Sequence, residues 1–243
     1  KPVSKWEEQI QVIHKLYEST PDNIVSYDGK YYKLEGACLQ APPIRKPRPP
    51  TYMAAGGKRT LAMTGKLGDG WLPIGYTPVL FADHKAQIEK SMNENNRTQE
   101  EKDNFQFALD IDVYFSEDAE QSWAKMKEAV KVSLFKPEIL RVHKLKEIEG
   151  FDFVKYFTEY SMSDQSWIVK MREAATQMPD DVARSSIALG TPEDIIPVFE
   201  EFMKAGVNHF VIRFWGKNYF GSIDKFATHV MPKLRETAKK QNN

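Results

Sequence analysis

Three groups of residues have the types and spacing to do chemistry. The first is the run Met53-Ala54-Ala55-Gly56-Gly57-Lys58-Arg59-Thr60. Small residues close a short apolar stretch, two glycines follow, and a helix-forming sequence begins. Glycine lets a backbone come close to a ligand, and the unpaired N–H groups at a helix start favour an anion such as phosphate. Lys58 and Arg59 add positive charge. Ala54, Ala55, Gly56, Gly57, Lys58 and Arg59 are therefore candidates for holding a phosphate. They fit equally a tight strand-to-helix turn followed by a solvent-facing basic pair. The second group is Arg213, a cation inside the apolar run Phe210–Phe214. Such a cation could meet a substrate carboxylate or phosphate, or pair with a neighbouring carboxylate. The third is Asp110 with Asp112, which alternate in a strand-like run and so share a face. Acid–base work, metal binding and an edge against lysine-rich helices all fit them. With no His or Cys nearby in sequence, no metal site is expected.

Other residues point to structure. In Gly68-Asp69-Gly70-Trp71, Asp69 fits a turn fixed through backbone N–H groups and Trp71 fits a core position. His14, His84, His143, His209 and His229 share no ligand spacing, and each reads as a surface or core-edge residue. No Ser-His-Asp order, phosphate-loop or zinc motif is present, so the residues name no catalyst. Lys+Arg and Asp+Glu both number 34, which gives no basic surface for nucleic acid or anionic membrane. Cys38 is the only cysteine, which excludes a disulfide framework and fits a reducing, cytoplasmic setting. No apolar run approaches a membrane span, and no signal peptide is seen. The charged start lacks an initiator Met and already reads as a helix entry, so the chain is expected to begin inside a larger protein.

The elements that must position these residues follow from periodicity. Residues 5–18 are an amphipathic helix capped by Ser4 and Glu7. Ile24–Tyr27 and Tyr31–Leu34, joined by Asp28-Gly29, form a hairpin. Residues 42–50 hold five prolines and form an extended connector. Strands are expected at 51–55, 71–74, 105–115 and 209–214. Helices are expected at 58–67, 77–93, 116–134, 191–205 and 223–239, with an irregular helical stretch at 136–184. Strands alternating with helices argue for parallel sheet. Four strands are too few for a whole (β/α)8 barrel, and half a barrel is the preferred reading.

Taken together, the segments resemble the luciferase-like family of flavin and deazaflavin oxidoreductases. Tyr27-Asp28-Gly29-Lys30-Tyr31-Tyr32-Lys33-Leu34 resembles the family's hairpin. Pro49-Pro50-Thr51-Tyr52-Met53-Ala54-Ala55-Gly56-Gly57 resembles its phosphate-loop strand. Gly65-Lys66-Leu67-Gly68-Asp69-Gly70-Trp71 resembles its "GR-x-x-DGW" segment. Leu189-Gly190-Thr191-Pro192-Glu193-Asp194 resembles a helix start, and Ala205-Gly206-Val207-Asn208-His209-Phe210 the entry to the last strand. The match runs over most of residues 5–236, apart from 136–184. It implies an α/β fold: a luciferase-like (β/α)8 TIM barrel, of which residues 1–243 are the C-terminal part, about four parallel strands plus insertions.

Within the family the likeness is greatest to the deazaflavin branch, which includes methylenetetrahydromethanopterin reductase, phthiodiolone ketoreductase and glucose-6-phosphate dehydrogenase. It implies hydride transfer between coenzyme F-420 and a carbonyl or imine-type carbon of a small molecule, in a homo-oligomer. The alternatives are an FMN-dependent monooxygenase and a truncated, non-catalytic relative. Catalytic residues are expected in the half that the family places ahead of Lys1. Two departures matter. Lys58 stands where the family often has proline. Gly75-Tyr76-Thr77-Pro78 lacks the lysine with which the sugar-phosphate dehydrogenases help bind substrate, which implies a substrate other than glucose 6-phosphate. The hairpin and residues 136–184 are expected outside the barrel wall, covering the site or meeting a second subunit.

Overall fold

A computed structural model of the chain describes residues 2–145 and 165–241. They fall into two compact units, Lys1–Leu72 with Ala86–Gln106, and Pro73–Lys85 with Phe107–Asn243.

The first unit opens with α1, Pro2–Glu18, followed by the antiparallel hairpin β1, Val25–Asp28, and β2, Lys33–Ala37. The hairpin turn is Gly29–Tyr32 and not Asp28-Gly29: the Gly29 N–H donates to the Tyr32 carbonyl at 2.9 Å, and Asp28 stays in the strand opposite Lys33. A tertiary contact decides this. The Glu8 carboxylate on α1 accepts from the N–H groups of Lys30, Tyr31 and Tyr32 at 3.2, 2.8 and 3.3 Å, which a two-residue turn would not present. Next come β3, Tyr52–Met53, α2, Lys58–Leu67, and β4, Gly70–Trp71. β3 and β4 are parallel, with Tyr52 beside Gly70 and Met53 beside Trp71. The expected strand 51–55 is thus shorter, and Ala54 to Gly57 leave it as a loop. Ile10, Met53 and Met63 make a buried cluster, with Val3, Trp6 and Leu67 packed on it. The helical spacing of α1 is what turns Val3, Trp6 and Ile10 to one face. The C-terminal part of α3, Pro78–Glu94, and the short α4, Gln99–Asp103, complete the unit. α4 was not anticipated, although Thr98 and Glu101 form a capping box there.

The second unit is built on β5, Gln106–Phe115, which lies between β6, Ile187–Gly190, and β7, His209–Phe214, all parallel. Ile74 also bridges to Asp110 in parallel. Phe107, Leu109, Ile111 and Val113 are buried, while the alternate Asp110 and Asp112 are half-buried on the opposite face. The helices are α5, Ala119–Ser133; α6, Pro137–Val142; α7, Gln165–Ala175; α8, Asp180–Arg184; and α9, Pro192–Lys204. Then α10, Tyr219–Lys225, passes through a π-helical turn at Phe226–Val230 into α11, Met231–Gln241. The wide turn ends at Val230, two residues before Pro232, whose ring would clash with the Thr228 carbonyl four residues back in an ordinary α-turn. Of the expected strands, 209–214 is exact, 105–115 begins one residue later, 51–55 is shortened, and 71–74 is displaced to Gly70–Trp71 with an isolated bridge at Ile74; β6 adds one. Among the described residues these strands close no barrel. Residues 146–164 of the expected helical stretch lie outside the described residues, and no described helix is long and apolar enough to cross a membrane.

Candidate functional site

The loop Ala54 to Gly57 and the start of α2 form the candidate anion site. Gly57 is the N-cap of α2, with φ −87° and ψ 153°. Neither Gly56 nor Gly57 is among the glycines with positive φ, so the backbone shape does not demand glycine here. Packing does not demand it either: a Cβ on Gly57 would first meet Thr60 Oγ1, at an ordinary 3.7 Å. Gly65, later in the same helix, is different, because its Cβ would sit 2.5 Å from the Ile88 carbonyl. A glycine that neither strain nor crowding requires leaves open space beside the backbone for something else. Gly57 has no side chain to cap the N–H groups that follow it, although Thr60 Oγ1 accepts from the Gly57 N–H at 3.2 Å, and the first turn holds no acidic residue. The N–H groups of that turn therefore face solvent or a ligand. Lys58 and Arg59 are exposed, and Arg59 Nη2 donates to Ser4 Oγ at a long 3.4 Å.

The loop is braced from beneath. Trp71 is fully buried, and its indole N–H donates to the Ala55 carbonyl at 2.8 Å. Asp69 accepts from the Thr51 N–H at 2.7 Å and pairs with the Arg48 guanidinium, while His14 Nε2 bonds Thr51 Oγ1 at 2.9 Å. Burial alone would raise the Asp69 carboxyl, but Arg48 and the Thr51 N–H hold it below the usual carboxylate range. Asp69 and Trp71 are thus structural, and Trp71 also sets the position of the loop, a role its sequence context did not signal.

In the second unit, Arg213 lies beside Asp112 in the β5–β7 register. Its Nη2 is 3.0 Å from Asp112 Oδ1, which also accepts from the Trp215 indole at 2.6 Å. Its Nε lies 2.8 Å from Asp110 Oδ1, at an angle that makes no hydrogen bond, so both atoms are buried without one. Burial and the nearby Asp112 raise the Asp110 carboxyl, against the pull of Arg213. The ion-pair reading of Arg213 is therefore present in the structure, and Asp110 and Asp112 are its partners. Among the described residues no group of three or more His, Cys, Asp or Glu is placed to hold a metal.

The segment after Ile74 holds a polar network that sequence reading missed. Lys136, far away in sequence, donates to the Ile74 and Gly75 carbonyls at 3.0 Å each, and lies over the Tyr76 ring. Burial lowers its amine below the ordinary lysine value. The loop without a lysine of its own thus receives an ammonium group from α6's N-cap. Tyr76 Oη and His84 Nδ1 are 3.0 Å apart, and Thr77 Oγ1 and His143 Nε2 are 2.8 Å apart. His84 is 2% exposed, against the expectation of a surface or core-edge position, and burial depresses its basicity. Nothing local in the sequence marks a 60-residue contact of this kind.

A family model described as luciferase-like monooxygenase matches residues 1–209. The chain belongs to the luciferase-like monooxygenase family. It is 27% identical over 236 residues to the 5,10-methylenetetrahydromethanopterin reductase of Archaeoglobus fulgidus, covering 97% of this chain and 68% of that protein. It is 24% identical to the F420-dependent glucose-6-phosphate dehydrogenase of Amycolatopsis mediterranei, covering 96% and 61%. Its fold matches the coenzyme F420-dependent tetrahydromethanopterin reductase of Methanopyrus kandleri with a TM-score of 0.70 at 24% identity, over 93% of this chain and 62% of that one. This luciferase-like chain therefore spans between three fifths and about two thirds of the length of these relatives.

Proposed function

We propose that this chain is the C-terminal part of one luciferase-like barrel domain, in a cytoplasmic oxidoreductase that uses coenzyme F-420. The reaction is hydride transfer between the deazaflavin and a carbonyl or imine-type carbon of a small molecule. The observation that carries this reading is the start of α2: Gly57 sits there without steric or conformational need, ahead of a first turn that has no N-cap side chain, no acidic residue and two exposed cations. Ala54, Ala55, Gly56, Gly57, Lys58 and Arg59 would hold the phosphate end of the coenzyme through backbone N–H groups and positive charge. The bound deazaflavin supplies the hydride, and the protein supplies orientation and electrostatics. Trp71 fixes the loop through the Ala55 carbonyl. Arg213 is the proposed substrate contact, its side chain 39% exposed while Asp110 and Asp112 hold it. We read the assembly as a homo-oligomer that binds no nucleic acid. Glucose 6-phosphate is not the proposed substrate, since Gly75-Tyr76-Thr77-Pro78 has no lysine of its own and two of the three Lys136 N–H donors go to backbone carbonyls.

The family's description as monooxygenases supports FMN as the second reading. Titration of the purified protein with coenzyme F-420 and, separately, with FMN distinguishes the two. The proposal expects saturable quenching of the shorter-wavelength deazaflavin chromophore and weaker or absent FMN binding. FMN binding alone would establish the monooxygenase reading, and binding of neither would establish a non-catalytic relative.

A further inference from the structure

Positive charge also gathers around a cavity at the other end of the same strands. A cavity of about 470 Å³ in the first unit is lined by residues including Arg45, Lys46, Arg48, Asp69, Asn104 and Gln106. Arg48 precedes β3, Asp69 precedes β4, and Gln106 begins β5, so the cavity sits at the N-terminal ends of these strands. Gly56 and Gly57 follow the C-terminal end of β3, up to about 20 Å further along an extended chain. The two places therefore do not share one phosphate.

The charges in the cavity do not balance. Arg48 is spoken for: it forks onto Asp69 and also lies 3.9 Å from Glu18. Arg45 and Lys46 are exposed and have no ion-pair partner among the described residues. Two positive charges are left over, next to the side-chain amides of Asn104 and Gln106. The connector that carries them is stiffened by Pro47, Pro49 and Pro50, so little conformational freedom remains to be lost on binding. A planar guanidinium fork, an ammonium point charge and neutral N–H donors suit a tetrahedral oxyanion. The volume falls within the usual range for a small-molecule pocket, roughly 300–1,000 Å³. We propose that this cavity binds a phosphate-bearing small molecule, independently of the glycine loop.

The test uses the whole chain, with inorganic pyrophosphate as probe and isothermal titration calorimetry at low salt as readout. The expected result is saturable binding that weakens as salt rises. A double variant, Arg45→Gln with Lys46→Gln, should bind about tenfold more weakly or worse while unfolding at the same temperature. Asn104→Asp, which adds a negative charge to the lining, should weaken binding in the same direction. The binding that the double variant weakens should persist in Gly57→Val, which removes only the share, if any, taken by the proposed coenzyme loop. Absence of saturable binding would overturn the proposal. So would equal affinity in the double variant, loss of binding in Gly57→Val, or tighter binding of citrate than of pyrophosphate.

Discussion

Trp71 shows how a single buried side chain links core and loop. Its ring fills the interior and its N–H holds the Ala55 carbonyl. Trp71→Phe keeps most of the apolar contact and removes the donor. It should cost about 1–2 kcal/mol in urea denaturation and also weaken coenzyme binding, because the loop loses its anchor. Loss of stability with unchanged coenzyme affinity would confine Trp71 to packing. Arg213 behaves differently, since it answers two carboxylates that are themselves partly exposed. A double-mutant cycle of Arg213→Met with Asp112→Asn should give a coupling of about 1 kcal/mol, reduced by solvent screening. Strict additivity would show that the pair contributes nothing. At this scale the sequence located the glycine loop, Asp69, Trp71 and the shared face of Asp110 and Asp112, all from spacing within a few residues. It gave no weight to either reading of Gly57, because the φ and the empty space beside Cα that bear on it arise only in the fold. Lys136, His84 and the Glu8 cap over the hairpin were invisible for a different reason: each depends on a partner brought close only by folding.

Among the elements, α2 and α3 meet closely at Gly65, where an added Cβ would lie 2.5 Å from the Ile88 carbonyl oxygen and 2.7 Å from Ser91 Cβ. Gly65→Ala should therefore destabilise the protein by about 1–3 kcal/mol through overpacking, although alanine is the better helix former. An unchanged or higher midpoint in chemical denaturation would mean that the helices can separate without cost. In the second unit, α5 and α8 are joined at Asp180, which accepts from the Trp123 indole at 2.8 Å and pairs with Lys131 at 2.5 Å. Those contacts, with the Lys131 hydrogen bond first, hold the Asp180 carboxyl down to about 2. A depressed folded value means that its stabilisation is complete above the ordinary value near 3.8 and disappears as pH falls toward about 2. Asp180→Asn should accordingly flatten the acid limb of stability between those values and leave its shape near neutrality unchanged. An unaltered acid limb would refute the pairing. Most element types were legible, since period-two and helical spacing are local. β6 was not, because Ile187–Gly190 is too short to show alternation and abuts the Thr191 helix start. The hairpin turn was misplaced because Glu8, not turn propensity, selects it.

For the molecule as a whole, the alternation of strands and helices correctly gave an α/β fold with parallel sheet, and five motifs in register gave the family. Composition could not add a substrate or a catalyst, and the relatives extend beyond this chain, which spans 68% of one and 61% of another. The residues proposed for the phosphate end of the coenzyme, Ala54 to Arg59, all lie within this chain. Arg59→Ala should weaken coenzyme binding modestly, and more at low salt than at high salt, since an exposed charge is screened. The most direct measurement is a fluorescence titration of coenzyme F-420 into the wild-type protein and Gly57→Val, with circular dichroism as the folding control. Gly57 has an extended backbone and free space at Cβ, so valine is tolerated by the fold. The expected result is a native spectrum with affinity lower by more than about tenfold, roughly 1.4 kcal/mol. A natively folded Gly57→Val protein that binds the coenzyme as tightly as wild type would show that the loop is only a turn.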